Sequence, residues 1–211
     1  MPCLSQLLRN HAPLLLIDAA STRIQVGLFS GNKDTRWLVS DDEAGVAIFQ
    51  GIARLGADFT DIRGFAYCEG PGSILGIRTS AMAIRTWQML APRPAFAYGS
   101  LALVSVALGR PDLTVIADAR RDTWHVQQPG RDLRRAQTSE LSGELAMPEN
   151  FRHWSPLPPT LTRTPYNVGE LLARVPTAEL FREVADPDAF LHQEPSYAAW
   201  TPHIHRPPTN G

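Results

Sequence analysis

The sequence predicts an α/β fold: a mixed sheet with flanking helices, in two lobes of which the second is reduced. Three observations carry this reading. Apolar runs of strand length alternate with helix-period segments over the first 127 residues. The chain enters its sheet through a strand-turn-strand pair, which adds an antiparallel part to an otherwise parallel α/β order. Proline then crowds the far end, 11 of 18 lying in residues 148–211, where regular elements thin out.

Taken in order, Leu14-Leu15-Leu16-Ile17 and residues 24–29 read as strands around a turn at residues 18–22. Gly31-Asn32 supplies a second turn, and residues 35–39 make a third strand of a meander. Ser40-Asp41-Asp42-Glu43 has the form of a capping box for a helix over 43–55, with Val46, Phe49 and Ile52-Ala53 at helical spacing and Gly56 as its stop. Residues 64–68 form a short apolar strand. A glycine-rich turn leads from it into a helix over 77–90 carrying Ile77, Ala81, Ile84 and Trp87, with Ser73 able to cap that helix. Pro92 and Pro94 close it. Residues 95–98 read as a strand, Ser100 as the cap of a helix over 101–108, and residues 113–117 and 123–127 as a strand pair around the polar turn 118–122. Beyond residue 147 only 168–172 and 178–184 read as regular. The lobes are placed at residues 1–99 and, smaller and proline-rich, at 100–211. No fixed-period repeat is present.

Composition narrows the function classes. The 211 residues are 44% hydrophobic and carry a formal net charge of -1, which argues against a general nucleic-acid or membrane-surface binder but leaves room for a small basic patch. Lys33 is the single lysine and lies in a turn, outside any phosphate-binding Gly-Lys-Ser/Thr pattern. Cys3 and Cys68 have no metal or redox spacing and read as reduced thiols, Cys68 within a strand. No residues near the start resemble a signal peptide, and no apolar stretch approaches the roughly 20 residues that span a bilayer, so a cytoplasmic protein without membrane partners is expected.

Four stretches carry possible chemistry. Asp18-Ala19-Ala20-Ser21-Thr22, between two strands, has the place of a phosphate-binding hairpin, but Ala20 stands where a glycine would let backbone amides approach a phosphate. An Asx or Ser/Thr turn is the other reading. Asp118-Ala119-Arg120-Arg121-Asp122 has the place of a second such hairpin. There Arg120 could hold an anion but would fill the space a nucleotide needs. Gly70-Pro71-Gly72-Ser73 is a strand-to-helix turn with exposed helix amides that could bind an anion, or simply a turn that needs these residues to fold. Among the histidines no pair has helical i, i+4 spacing, His203 and His205 read as loop surface, and no Gly-x-Ser-x-Gly elbow occurs, so neither metal nor serine-hydrolase chemistry has a starting point. The two N-terminal helices bear wide apolar arcs, buried either within the chain or against a partner; Ile48, Phe49, Ile52, Ile84, Trp87 and Gln88 are the candidate interface.

Four stretches together are similar to a known family. Residues 14–18 with the following strand, Asp61-Ile62-Arg63-Gly64-Phe65-Ala66-Tyr67, Gly70-Pro71-Gly72-Ser73-x-x-Gly76-x-Arg78, and Ile116-Ala117-Asp118-Ala119-Arg120-Arg121-Asp122 occur in the order of the TsaB (YeaZ) family, with a weaker C-terminal echo at His192-Gln193-Glu194-Pro195-Ser196-Tyr197. These are accessory subunits of tRNA threonylcarbamoyladenosine synthesis, in the glycoprotease-like branch of the actin-like ATPase superfamily. The resemblance implies an RNase H-like/actin-like fold and a non-catalytic subunit without cofactor or metal. It also implies pairing through the two helices with a TsaD-like catalytic subunit, or with a second copy. A third, ATPase subunit could join, and tRNA would be met only through the complex. The alternative is a small ATP-dependent kinase of the same superfamily, resting on Asp18, Asp118 and the Gly70 to Ser73 turn. A glycoprotease-type hydrolase has neither nucleophile nor metal set to support it.

Overall fold

The computed structural model describes residues 1–31 and 34–190; Asn32, Lys33, the 192–197 echo, His203 and His205 lie outside the described residues. The chain starts with a helix that the sequence reading missed, α1 (Leu4–His11), whose Leu4 and Leu7 are buried three residues apart on one face. The expected meander follows as β1 (Leu14–Asp18), β2 (Ile24–Phe29) and β3 (Thr35–Ser40), all antiparallel, with Asp18 opposite Gln25 at the turn end. β1 is buried on both faces: Leu14 and Leu16 enter one core cluster, Leu15 and Ile17 the other. This is why it reads as an unbroken apolar run rather than an alternation.

Next come α2 (Ala44–Arg54), β4 (Gly64–Gly70), α3 (Ile74–Leu90), β5 (Ala95–Gly99) and α4 (Ser100–Leu108). Two expected caps differ. Ser40 is paired with Ile24 at the end of β3, so the sheet holds it too early to cap α2; its hydroxyl instead bonds Asp42 locally, and Glu43 is the N-cap. Ser100 is the first helical residue of α4 rather than its cap, which is Gly99, and its buried hydroxyl donates to the Pro71 carbonyl. Ser73 does cap α3, accepting from the Gly76 N–H at 3.4 Å. β4 and β5 add in parallel beside β1, and β11 (Arg182–Val184), from far along the chain, pairs antiparallel with β5 at the edge, giving the order β11-β5-β4-β1-β2-β3.

A second sheet holds β6 (Leu113–Asp118), β7 (Thr123–Gln127), β8 (Arg134–Gln137), β9 (Glu144–Pro148) and β10 (Leu161–Thr164), in the order β10-β9-β6-β7-β8. It repeats the connectivity of the first: three antiparallel strands on one side, two parallel strands on the other. Asp118 ends β6 as Asp18 ends β1. The crossovers are what differ. Where the first sheet has α2 and α3, the second has a single 3-10 turn at Thr138–Glu140 and an irregular stretch over 149–160. Pro156, Pro158 and Pro159 explain the latter, since each removes an amide donor and clashes with a helical turn. The expected reduction of the second half thus consists of two missing helices. Of the two C-terminal stretches expected to be regular, the first became α5 (Val168–Arg174) and the second shortened to β11.

One core cluster draws on α1, α4, α5 and strands of both sheets; the other lies between the first sheet and α2 and α3. Cys3 and Cys68 are buried free thiols. Among the described residues no helix is long and apolar enough to cross a membrane.

Candidate functional site

The Asp18–Thr22 turn and the Gly70–Ser73 turn meet at the carboxyl end of β1. Asp18 has no exposed surface. Its Oδ2 accepts hydrogen bonds from the Tyr98 hydroxyl at 2.6 Å and the Tyr166 hydroxyl at 2.7 Å, and its Oδ1 from the Ala20 N–H at 3.0 Å. Burial pushes the Asp18 carboxyl above its ordinary range, against the pull of these three bonds. Burial, with the neighbouring Asp18 charge, also pushes the Cys68 thiol and both tyrosine hydroxyls well up. This carboxylate faces tyrosines inside the core, not a cleft.

The turn beyond it is lodged against the start of α3. The Ala20 carbonyl accepts the Ser73 N–H at 2.7 Å, and the Ser73 carbonyl accepts the Ile77 N–H at 2.9 Å. A Cβ on Gly72 would overlap the Ala20 carbonyl, and one on Gly76 the Ala19 carbonyl. Both glycines therefore serve the close approach of one backbone to another. Two of the amides at this turn are met by the chain itself: Ser73 N–H by the Ala20 carbonyl and Gly76 N–H by the Ser73 hydroxyl. Gly72 and Ser73 thus each have a structural part in this turn, as a close approach and as a helix cap.

The second hairpin is occupied in a similar way. Asp118 Oδ2 accepts the Trp154 and Ser155 N–H groups, each at 2.6 Å, and Oδ1 accepts the Arg120 N–H. Partial burial works to raise this carboxyl, but the amides of Ser155, Trp154 and Arg120 together hold it below the usual range. The Arg120 guanidinium stacks over the Trp154 ring, 4.2 Å from its centre. The same loop reaches the first hairpin, where the Asn150 carbonyl accepts the Thr22 N–H at 2.8 Å, and Phe151 packs edge-on against Tyr166 at 4.9 Å. Residues 150–155, from the stretch that replaces a crossover helix, therefore bridge the two hairpins. Among the described residues no three His, Cys, Asp or Glu side chains gather as a metal site.

The candidate interface needs correction. Ile48, Ile52 and Ile84 are buried against the first sheet, and Trp87 is inside, its ring 5.5 Å from that of Phe65. Gln88 is half-buried and donates to the Arg93 carbonyl. Of the six, Phe49 alone offers a large open surface, at 52% exposure. The outward face of α3 lies elsewhere on its circumference: Leu75, Met82 and Met89 recur every seventh residue at 79%, 55% and 87% exposure. Thr79 and Thr86 lie between them, and each turns its hydroxyl back onto the carbonyl four residues earlier. The result is an open apolar stripe, with Val46 and Phe49 of α2 also exposed. Sequence reading found the helices and missed the phase of α3. The heptad spacing was present, but it competed with the inward apolar residues Ile77, Ala81, Ile84 and Trp87 of the same helix. Tyr98, Tyr166, Trp154 and Ser155 were also missed, because each acts at a separation that no local pattern reports.

No family model matches the chain, and no curated protein sequence matches it. Solved structures do. The chain is similar to YeaZ from Pseudomonas aeruginosa, at 15% identity and a TM-score of 0.57, over 76% of this chain and 89% of that one. It is similar also to a structure described as an uncharacterized protein with similarity to peptidase YeaZ from Pseudomonas aeruginosa, at 16% identity, a TM-score of 0.55, and 77% and 89% coverage. These likenesses place the chain in the RNase H-like/actin-like α/β fold that its duplicated sheets display.

Two predictions follow from the packing at β1. Gly76→Ala forces a methyl into the Ala19 carbonyl and should destabilise by about 1–3 kcal/mol, whereas Gly45→Ala, in open space at the start of α2, should be neutral or stabilise by up to ~1 kcal/mol; urea midpoints of both variants check the contrast. The second concerns pH. With its pKa raised on folding, Asp18 keeps a proton in the folded chain at a pH where the unfolded chain has lost it, so its contribution to stability declines as pH rises through the raised value. Asp18→Asn cannot titrate. Its stability relative to the parent chain should therefore improve as pH rises above the ordinary carboxylate value of about 4, and a difference that stays constant as pH rises contradicts the assignment.

Proposed function

We propose that this chain is a TsaB (YeaZ)-type subunit: a non-catalytic partner that pairs with a TsaD-like enzyme in tRNA threonylcarbamoyladenosine synthesis. The observation that carries the reading is the combination of a YeaZ-like fold with two phosphate hairpins already filled by the chain's own groups. Asp18 and Asp118 occupy the equivalent ends of duplicated sheets, where this fold would present carboxylates to a nucleotide, yet one is sealed in the core and the other accepts three amides. A kinase would need those groups open.

The stripe Leu75, Met82 and Met89, beside Phe49, supports docking as the role. Large apolar side chains aligned along a helix at seven-residue spacing suit a facing helix, whose side chains would enter the spaces between them. The same stripe would serve a second copy of the chain, so self-pairing and pairing with the enzyme would compete for one surface.

The test is the mass of the purified chain, by light scattering, alone and after mixing with the TsaD-like enzyme of the same genome. The expected result is a complex at micromolar concentration, formed at the expense of any homodimer. Met82→Glu and Phe49→Glu, both at exposed positions, should each weaken pairing at least about tenfold, as expected for charge buried at the centre of an apolar interface, while leaving the circular dichroism spectrum intact. Absence of a complex, or full pairing by both folded variants, contradicts the reading.

A further inference from the structure

We propose that the β6–β7 turn and the loop beside it form a docking site for single-stranded nucleic acid, with Trp154 as a stacking platform and Arg120, Arg121 and Arg152 as phosphate contacts. This is a second surface, independent of the α2 and α3 stripe, and it gives the chain a contact of its own with a polyanion.

Trp154 is 58% exposed, yet it does not hang on a loose loop. The backbone N–H groups of Trp154 and Ser155 both donate to the Asp118 carboxylate, which fixes the stretch of backbone that carries the ring. The Arg120 guanidinium lies over the ring, 4.2 Å from its centre. An indole with an arginine at its face is the pairing that proteins use to stack bases without regard to sequence, because every base offers a π-face.

The backbone of the turn points the same way. Arg120, Arg121 and Asp122 have φ of 65, 53 and 55°, three consecutive left-handed residues without a glycine. Glycine would make this turn with less steric cost, so the residues present are accounted for by what their side chains do rather than by the turn. Arg120, Arg121 and Arg152 are exposed, and among the described residues no carboxylate lies within ion-pair distance of them. The Asp118 carboxylate is engaged by three amides, which leaves Asp122 as the remaining acid of the turn. Arg135 adds charge beneath, its guanidinium donating to the Ala119 carbonyl at 2.8 Å and to the Thr123 hydroxyl at 2.7 Å. On a chain of net charge -1 this is a local concentration of positive charge. A free phosphate or an acidic peptide would use the arginines but would have no use for the indole, which is why a strand with bases is the fitting ligand.

The test is fluorescence anisotropy of labelled oligouridine RNA and oligothymidine DNA of equal length, titrated with the full chain over a range of salt. The expected result is a dissociation constant in the micromolar range, weakening linearly with the logarithm of salt. Binding of either oligonucleotide supports the site, and the tighter one identifies the sugar preferred. Trp154→Ala should weaken binding about tenfold, with Trp154→Phe close to the parent chain. Arg121→Gly should lower the salt slope by about 0.7 while keeping the urea midpoint, since glycine suits that backbone. Gly45→Ala, in open space on α2, should bind as the parent does. The proposal is overturned by no binding at about 100 μM chain, the weak end of non-specific affinity. It is overturned equally if folded Trp154→Ala binds as tightly as the parent, or if polyglutamate binds more tightly than either oligonucleotide.

Discussion

The fold turns on one buried carboxylate. Asp18 ends the central strand of the first sheet, and its two phenolic donors come from elements far apart: Tyr98 from β5 of the same sheet, Tyr166 from the segment leading into α5. Gln25, opposite Asp18 on β2, reinforces the same junction, donating to the Tyr166 carbonyl and accepting from the Val168 N–H, both at 2.9 Å. A carboxylate left unpaired at that depth would cost several kcal/mol. Its partners must therefore be in place whenever the chain is folded, and this ties the late segment to the first strand. Asp18 is thus a structural joint between the first strand and the late segment.

Duplication explains how the second half came to take part. Each sheet ends its central strand in an aspartate, and each aspartate is followed by a tight turn. In the first half the crossover helix α3 meets that turn, with Gly72 and Gly76 permitting the approach. In the second half the crossover helix is missing, and the loop that stands in its place supplies Trp154 and Ser155 to Asp118 and Asn150 to the first turn. The amides of this loop can reach Asp118 because it is not helical: a helix crossing here would have kept them in its own hydrogen bonds.

Local chemistry was legible in the sequence, and distant chemistry was not. The β1–β2 hairpin, the Ser73 cap and the run into α3 were readable because turn residues, cap residues and apolar spacing act within a few positions. Ala20 and Arg120 stand where glycines would open the hairpins, and in the structure both turns are packed against other parts of the chain. The Ser40 capping box looked sound on its own, and only the pairing of Ser40 with Ile24 displaced it. The strands β8 and β10 escaped notice because each buries a single side chain, Ala136 and Thr164, and so carries almost no period. Tyr166 reaches Asp18 across 148 positions, a distance at which spacing conveys nothing.

The central claim is that both hairpins are filled by the chain's own groups. Calorimetric titration of Mg-ATP into the isolated chain measures this most directly. The account predicts no saturable heat at concentrations up to about a hundredfold above a micromolar dissociation constant. One-site binding in the micromolar range, lost in both Asp18→Ala and Asp118→Ala variants that remain folded, would contradict it.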